Sequence, residues 1–392
     1  MCTHLRVSFP CARMPVLLVF LLLHAYIGWR IVPDLTAPAA AGAMAALLVA
    51  SAGLVPLGFR ARRLRSPDWA DRAAAAGLWF LGLFSSLCVL TLLRDVALLV
   101  GAVAAWRWPG AVPIESLRVA TAPGVPLLGL GLTLLGLLNA RRTAAVVSVD
   151  VPIAGLPEAL HGFTIAQISD LHIGPTIRQR YLERVVAAVN RLGADMVAVT
   201  GDLVDGPVHR LATHVAPLAA LASRHGTFFV TGNHEYYSGA PAWIIELRRL
   251  GLCVLLNEHV VLRHGAGTLV VAGVTDFSAH HFGEHQRSDP HAALVGAPAE
   301  AGVRVLLAHQ PRSAPAAADA GIDLQLSGHT HGGQFLPWTF FVRLQQPFTA
   351  GLHRWRALWV YTSRGTGYWG PPKRLGAPSE ITRLRLVPVA AG

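Results

Sequence analysis

The sequence predicts an α-helical transmembrane region followed by an α/β domain. Three features carry that reading. Hydrophobic residues make up 53% of the chain and charged residues only 14%, and the apolar excess is concentrated in the first 142 residues. Beyond them, short apolar runs alternate with segments of helical spacing, the rhythm of a domain with largely parallel strand pairing. Five short polar motifs each stand just past the end of one of those runs, the edge where open α/β sheets bind ligands.

In the first part, four segments are long and apolar enough to span a bilayer: 16–32, 35–58, 73–93 and 120–140. His24, Pro38 and Pro56 fall inside them without breaking the pattern. Residues 96–106 are apolar but short and follow Arg94-Asp95. They extend the third helix, lie at the interface or re-enter; Trp106 and Trp108 suit an interface. A cleaved signal peptide is the other reading of the N-terminus, but further spans follow at once. The transmembrane region is therefore placed at 1–142 and the second domain at 143–392.

Arginines set the expected topology. Arg6 and Arg13 precede the first span; Arg60, Arg62, Arg63, Arg65 and Arg72 lie between the second and third; Arg141 and Arg142 follow the fourth. Four spans put all three clusters on one side, which the positive-inside rule makes cytoplasmic. The expectation is a multi-pass inner-membrane protein with its second domain in the cytoplasm; a fifth span would reverse that. Cys2, Cys11 and Cys88 lie in the membrane part and Cys253 alone in the second domain, so no disulfide forms within that domain. Thirteen basic and five acidic residues fall in the first 142, so most of the +11 net charge belongs to the membrane part. The bilayer, not nucleic acid, is the partner this implies.

In the second part, 163–169, 196–200, 227–231, 303–308 and 323–326 read as buried strands, with 144–149 as a first strand. Residues 178–191, 212–224 and 243–250 have helical spacing. After the strands come Asp170-Leu171-His172, Gly201-Asp202, Gly232-Asn233-His234-Glu235, Ala308-His309 and Gly328-His329-Thr330-His331. Together they offer carboxylate, amide oxygen and imidazole, the donor mix of a divalent-metal site. The glycines let the backbone turn sharply beside it.

In their order and context, these motifs resemble the calcineurin-like metallophosphoesterase superfamily over roughly 163–386, and within it a membrane-attached bacterial branch. Ser363-Arg364-Gly365 and Pro378-Ser379-Glu380 match that branch's closing arginine-glycine segment and Pro-Pro-Glu, with serine in the middle position. The resemblance implies a β-sandwich flanked by helices and a metal-dependent phosphoric ester hydrolase with two divalent cations; manganese, iron or zinc suit the ligands. It implies that Asp170, His172 and His331 hold the first cation, that Asp202 bridges, and that Asn233, His309 and His329 complete the second. It makes His234 the general acid, with Asp205 as its hydrogen-bond partner or as a turn residue. Arg364 is the first choice for a phosphate contact. The expected substrate is a phosphodiester or pyrophosphate, lipid-linked or a soluble nucleotide; a silent membrane scaffold is the reading from another class.

Two features stay open. His280, His281 and His285, with Asp276 just before them, are either a further site or a solvated loop. Residues 334–342 are rich in aromatics that dip into the interface, line an acyl groove or pack in the core.

Overall fold

The computed structural model describes residues 13–61 and 66–389. Arg6, Arg62, Arg63 and Arg65 of the topology argument, and Cys2 and Cys11, lie outside the described residues. The chain forms two compact units, Met1–Leu135 and Gly136–Gly392.

The first unit contains helices α1 (Arg13–Ile31), α2 (Pro38–Arg60), α3 (Pro67–Arg107), α4 (Ile114–Thr121) and α5 (Gly124–Arg141), whose last six residues belong to the second unit. Among the described residues, four helical stretches are long and apolar enough to cross a membrane. Residues 96–106 form no separate span: α3 runs through Arg94-Asp95 without a break. At 1.5 Å per residue α3 is about 60 Å long, twice the hydrocarbon thickness of roughly 30 Å. Arg94 and Asp95, adjacent on a helix, point to different partners. Arg94 pairs with Asp34 at 2.5 Å, and Asp95 with Arg30 at 2.9 Å.

The second unit is a sandwich of two six-stranded sheets, ordered β1-β12-β2-β3-β4-β5 and β10-β11-β9-β8-β7-β6. The strands are β1 (Ala145–Ile153), β2 (Thr164–Ile168), β3 (Met196–Thr200), β4 (Thr227–Val230), β5 (Cys253–Val254), β6 (Glu258–His264), β7 (Gly267–Gly273), β8 (Val303–Leu307), β9 (Leu324–Ser327), β10 (Gly351–Trp355), β11 (Leu358–Thr362) and β12 (Glu380–Pro388). Pairing is parallel except at β2-β12, β6-β7 and β10-β11. Every residue of β2 and β3 is buried, because one face meets the other sheet and the second is covered by helices. Ile165, Met196, Phe228, Leu269, Val305, Leu324 and Leu384 form the apolar layer between the sheets. Outside the first sheet lie α6 (Gln179–Asn190), α7 (Val208–Val215) and α9 (Ala240–Arg249), with Trp243 and Leu182 fully buried against it. Outside the second lie α10 (Pro290–Ala293) and α11 (Ala314–Asp319). The helical reading of 212–224 overlaps only the last turn of α7, which runs Val208–Val215; Pro217 follows inside a 3₁₀ turn, since proline removes the N–H an α-helix needs.

Candidate metal centre

The C-terminal ends of β2, β3, β8 and β9 and the start of the short helix α8 (Asn233–Ser238) after β4 bring the motifs together. Backbone bonds knit the first two loops: Asp170 N–H donates to Gly201 O at 3.0 Å and His172 N–H to Asp202 O at 3.0 Å. Five of the seven expected ligands, Asp170, His172, Asp202, His329 and His331, have positive φ, from 50° to 69°. A non-glycine residue rarely adopts that conformation, and such strain collects at functional sites.

The expected ligands gather in two clusters, Asp170/His172/His331 and Asp202/His309/His329, and a third, His172/Asp205/His234, adjoins the first. His172 Nε2 lies 3.1 Å from His331 Nε2, and His329 Nδ1 lies 3.2 Å from His309 Nε2. Asp202 connects them. Its Oδ1 accepts from His234 N–H at 2.8 Å, while its Oδ2 lies 3.1 Å from His309 Nε2 and 3.7 Å from His172 Nε2. Asn233 is buried, and its Oδ1 has no hydrogen-bond partner. An unpaired buried carbonyl is costly, so this atom fits a cation ligand. His309 Nδ1 lies 2.7 Å from Thr200 O; donating there fixes the tautomer that leaves Nε2 to bind metal. The donor set therefore fits two divalent cations.

The electrostatics agree. Burial, with His172 and Arg374 beside it, drives His331 well below its usual value; burial and His309 bring His329 down to about 3. Both rings are neutral at pH 7, the form that ligates metal. For His309 burial acts the same way but loses to the Asp202 carboxylate, so His309 is held well above its usual value.

Beside the first cluster, Asp205 Oδ1 lies 3.0 Å from His172 Nδ1 and 2.6 Å from His234 Nδ1. Burial disfavours a charged His234, yet Asp202 and Asp205 outweigh it and raise it to about 9. Three aromatic rings surround this face: Tyr237 at 5.4 Å and Trp369 at 5.8 Å from the His234 ring, and Phe282 at 5.8 Å from Tyr237.

Two residues support the centre in ways the sequence does not indicate: Glu235, and Arg374, which as a cation near the C-terminus is a candidate phosphate contact by sequence. Glu235 is fully buried and accepts from the N–H groups of Asp202, Leu203 and Gly232 at 2.7 to 3.0 Å, locking two motif loops together. Its place in the Asn233-His234-Glu235 motif was the available signal. Arg374, also buried, donates to His331 O at 2.8 Å. Of the three glycines, only Gly201 has positive φ, 82°. Gly232 and Gly328 serve close approach instead: a Cβ on Gly328 would lie 2.1 Å from Asp170 Oδ2.

Arg364 donates from Nη1 to Glu380 Oε2 at 2.8 Å, so the two residues that matched the branch's closing motifs form an ion pair. Asp276 turns away from its histidines to accept from Gln310 and Ser278. His281 and His285 are exposed, and among the described residues no candidate metal cluster includes this loop.

Residues 163–333 match the calcineurin-like phosphoesterase family. A metallophosphoesterase of Aquifex aeolicus is 36% identical over 220 residues, covering 55% of this chain and 82% of its own length. The chain belongs to the calcineurin-like metallophosphoesterases. It is also similar to proteins of Bos taurus and Danio rerio, each described as a transmembrane protein with metallophosphoesterase domain. They are 42% identical over 267 residues and 39% over 264, each alignment covering 65% of this chain. The chain spans 60% of the length of these two relatives.

Proposed function

We propose that the chain is a membrane-anchored two-metal phosphoesterase that hydrolyses a phosphodiester or pyrophosphate bond in a lipid-linked substrate. The observation that supports it most is Asp202 Oδ2, which faces imidazole nitrogens of both clusters. Residues 1–142 anchor the enzyme in the inner membrane and residues 143–392 form its catalytic domain, on the cytoplasmic side.

Asp170, His172 and His331 would hold one cation and Asn233, His309 and His329 the other, with Asp202 shared. When bound, such a pair acidifies water and offsets the charge of an in-line displacement; manganese, iron or zinc suits the donors. The rest falls to the protein. His234, oriented through Nδ1 by Asp205, carries a proton on Nε2 for the departing oxygen. Arg364, steadied by Glu380, contributes charge to the phosphate. Tyr237, Phe282 and Trp369 restrict water around the reacting bond.

The test is manganese-dependent hydrolysis of bis(4-nitrophenyl) phosphate and of 4-nitrophenyl phosphate by full-length protein in detergent. We expect turnover of the diester and a loss of at least about a hundredfold in Asp202→Ala. Two bound equivalents without turnover of soluble or lipid-linked esters would favour a scaffold. Faster turnover of soluble nucleotide diesters than of lipid diphosphates would favour the soluble substrate.

A further inference from the structure

Residues 336–344 follow the His329–His331 motif and do not enter the core. Leu336 is 51% exposed, Trp338 48%, Phe340 68%, Phe341 53% and Leu344 81%. Water is a poor neighbour for five large apolar side chains within nine residues, and a contiguous exposed patch of this kind marks an interaction surface.

What covers it is indicated by the start of this segment. Leu336 N–H bonds Leu375 O, and the Phe335 ring lies 5.1 Å from Lys373 Nζ. The Lys373–Leu375 strip lies against the end of α5. Arg374 N–H donates to Gly136 O at 2.9 Å, Asn139 donates to Arg374 O at 3.2 Å, and Lys373 leaves no room for a Cβ on Gly136. Gly136 and Ala140, one turn apart, are buried, while Leu138 on another face is 61% exposed. Gly136 is five residues, roughly 7 Å, before the helix end at Arg141. The aromatic segment is thus tied, through Leu375 and Arg374, to the end of α5.

A second feature is built on the same helix end. Ala140 and Arg141 line a cleft of about 550 Å³ with Arg178, Arg180, Arg184, His214 and Tyr368. The charged side chains lining it are Arg141, Arg178, Arg180 and Arg184, with no carboxylate among the lining residues, so its charge complements phosphate headgroups. An aromatic wedge and a basic cleft beside one helix end are the two components of an interfacial binding surface.

We infer that residues 336–344, together with the basic cleft at Arg141, dock the catalytic unit on an anionic lipid surface. This rests on the membrane part of the proposed function and not on turnover. Trp369, at the edge of His234, is joined to the segment through Gln334, which donates to Trp369 O at 2.9 Å. The docking segment is thus linked to a residue that borders His234.

The test uses full-length protein in phosphatidylglycerol nanodiscs, with p-benzoylphenylalanine replacing Phe340, Leu344 or, as an exposed control, Ile245. Photolysis with radiolabelled lipid should give at least about fivefold more lipid adduct at 340 and 344 than at 245. Arg180→Glu should reduce the 340 adduct about threefold in phosphatidylglycerol and leave it unchanged in phosphatidylcholine. Adduct at 340 and 344 no greater than at 245, or adducts joining two protein chains instead, overturns the proposal. An Arg180→Glu protein that labels as well as its parent in phosphatidylglycerol removes the cleft from it. Bound-metal content confirms that each variant is folded. Hydrolysis of the soluble diester in detergent reports on the metal centre alone, so failure of docking and failure of the enzyme reading are told apart.

Discussion

Asp205 Oδ1 lies 2.6 Å from Nδ1 of His234, and the same oxygen lies 3.0 Å from Nδ1 of His172. One carboxylate thus orients both an expected general acid and an expected metal ligand. Asp205→Ala should weaken metal binding about 10- to 100-fold through His172 and also lower kcat. His234→Ala should lower kcat about 10²- to 10⁴-fold with metal affinity unchanged. Titration calorimetry with manganese beside steady-state kinetics separates the two. Equal metal affinity in both variants would remove the His172 half of the role.

The same pair makes a prediction about pH. His234 is raised to about 9 chiefly because Asp202 and Asp205 outweigh its burial; bound cations nearby pull it back down. A general acid works only while protonated, so the alkaline limb of kcat reports this group. Asp205→Asn removes one of the charges favouring the imidazolium and should move that limb to lower pH by about one unit. An unmoved limb would show that another group is the acid.

Metal uptake should itself release protons. His309 is held well above its usual value by Asp202 despite burial, so at pH 7 the metal-free site carries a proton that a cation must displace. Apparent manganese affinity should rise by about tenfold per pH unit between pH 6 and 7.5. Calorimetry in buffers of different ionisation enthalpy should give about one proton released on filling the site that His309 serves. A pH-independent affinity would mean that His309 is already neutral.

Much of this centre was legible in the sequence because metal chemistry demands particular atoms: Asp170, Asp202 and His309 have no cheap substitutes. The strands that carry them were legible too, since β2 and β3 are buried on both faces and read as unbroken apolar runs. β5, β6, β7, β10, β11 and β12 were not read from the sequence; of these, β6 and β10 lie at the edges of the second sheet with half-exposed faces and carry His259, Arg263 and Arg354. The role of Glu235 was hidden for another reason: its partners are backbone N–H groups, which leave no trace in residue identity. The exposure of 336–344 depends on where the chain goes after a motif, and composition alone left three outcomes open.

Gly328 offers a test of close packing at the centre. A Cβ there would lie 2.0 Å from Ser169 Oγ and 2.1 Å from Asp170 Oδ2, distances at which something must move. Because Asp170 also accepts the His329 N–H at 2.9 Å, the displaced group is a ligand. Gly328→Ala should lower stability by about 1–3 kcal/mol and leave fewer than two metals per chain. Asn233→Ala should also lose metal, but without that destabilisation, since it removes an oxygen with no hydrogen-bond partner. Thermal unfolding and elemental analysis of both variants make the comparison.

Lys373 is the chain's only lysine and is 3% exposed. Burial brings it from 10.5 down to about 8. For a base whose folded value is depressed, folding pays a penalty wherever the unfolded chain is protonated and the folded one resists it. The penalty is full below pH 8, shrinks as pH rises from about 8 to 10.5, and vanishes above. A shift of this size corresponds to about 3 kcal/mol, reduced by the Phe335 ring 5.1 Å from the ammonium. Lys373→Met keeps the stem that fills the space against Gly136 and removes the charge. In neutral detergent it should be more stable than its parent at pH 7, with the difference closing across pH 8 to 10.5. A variant less stable at pH 7 would mean that the ammonium holds the Leu375 strip in place, and that its contacts outweigh its desolvation.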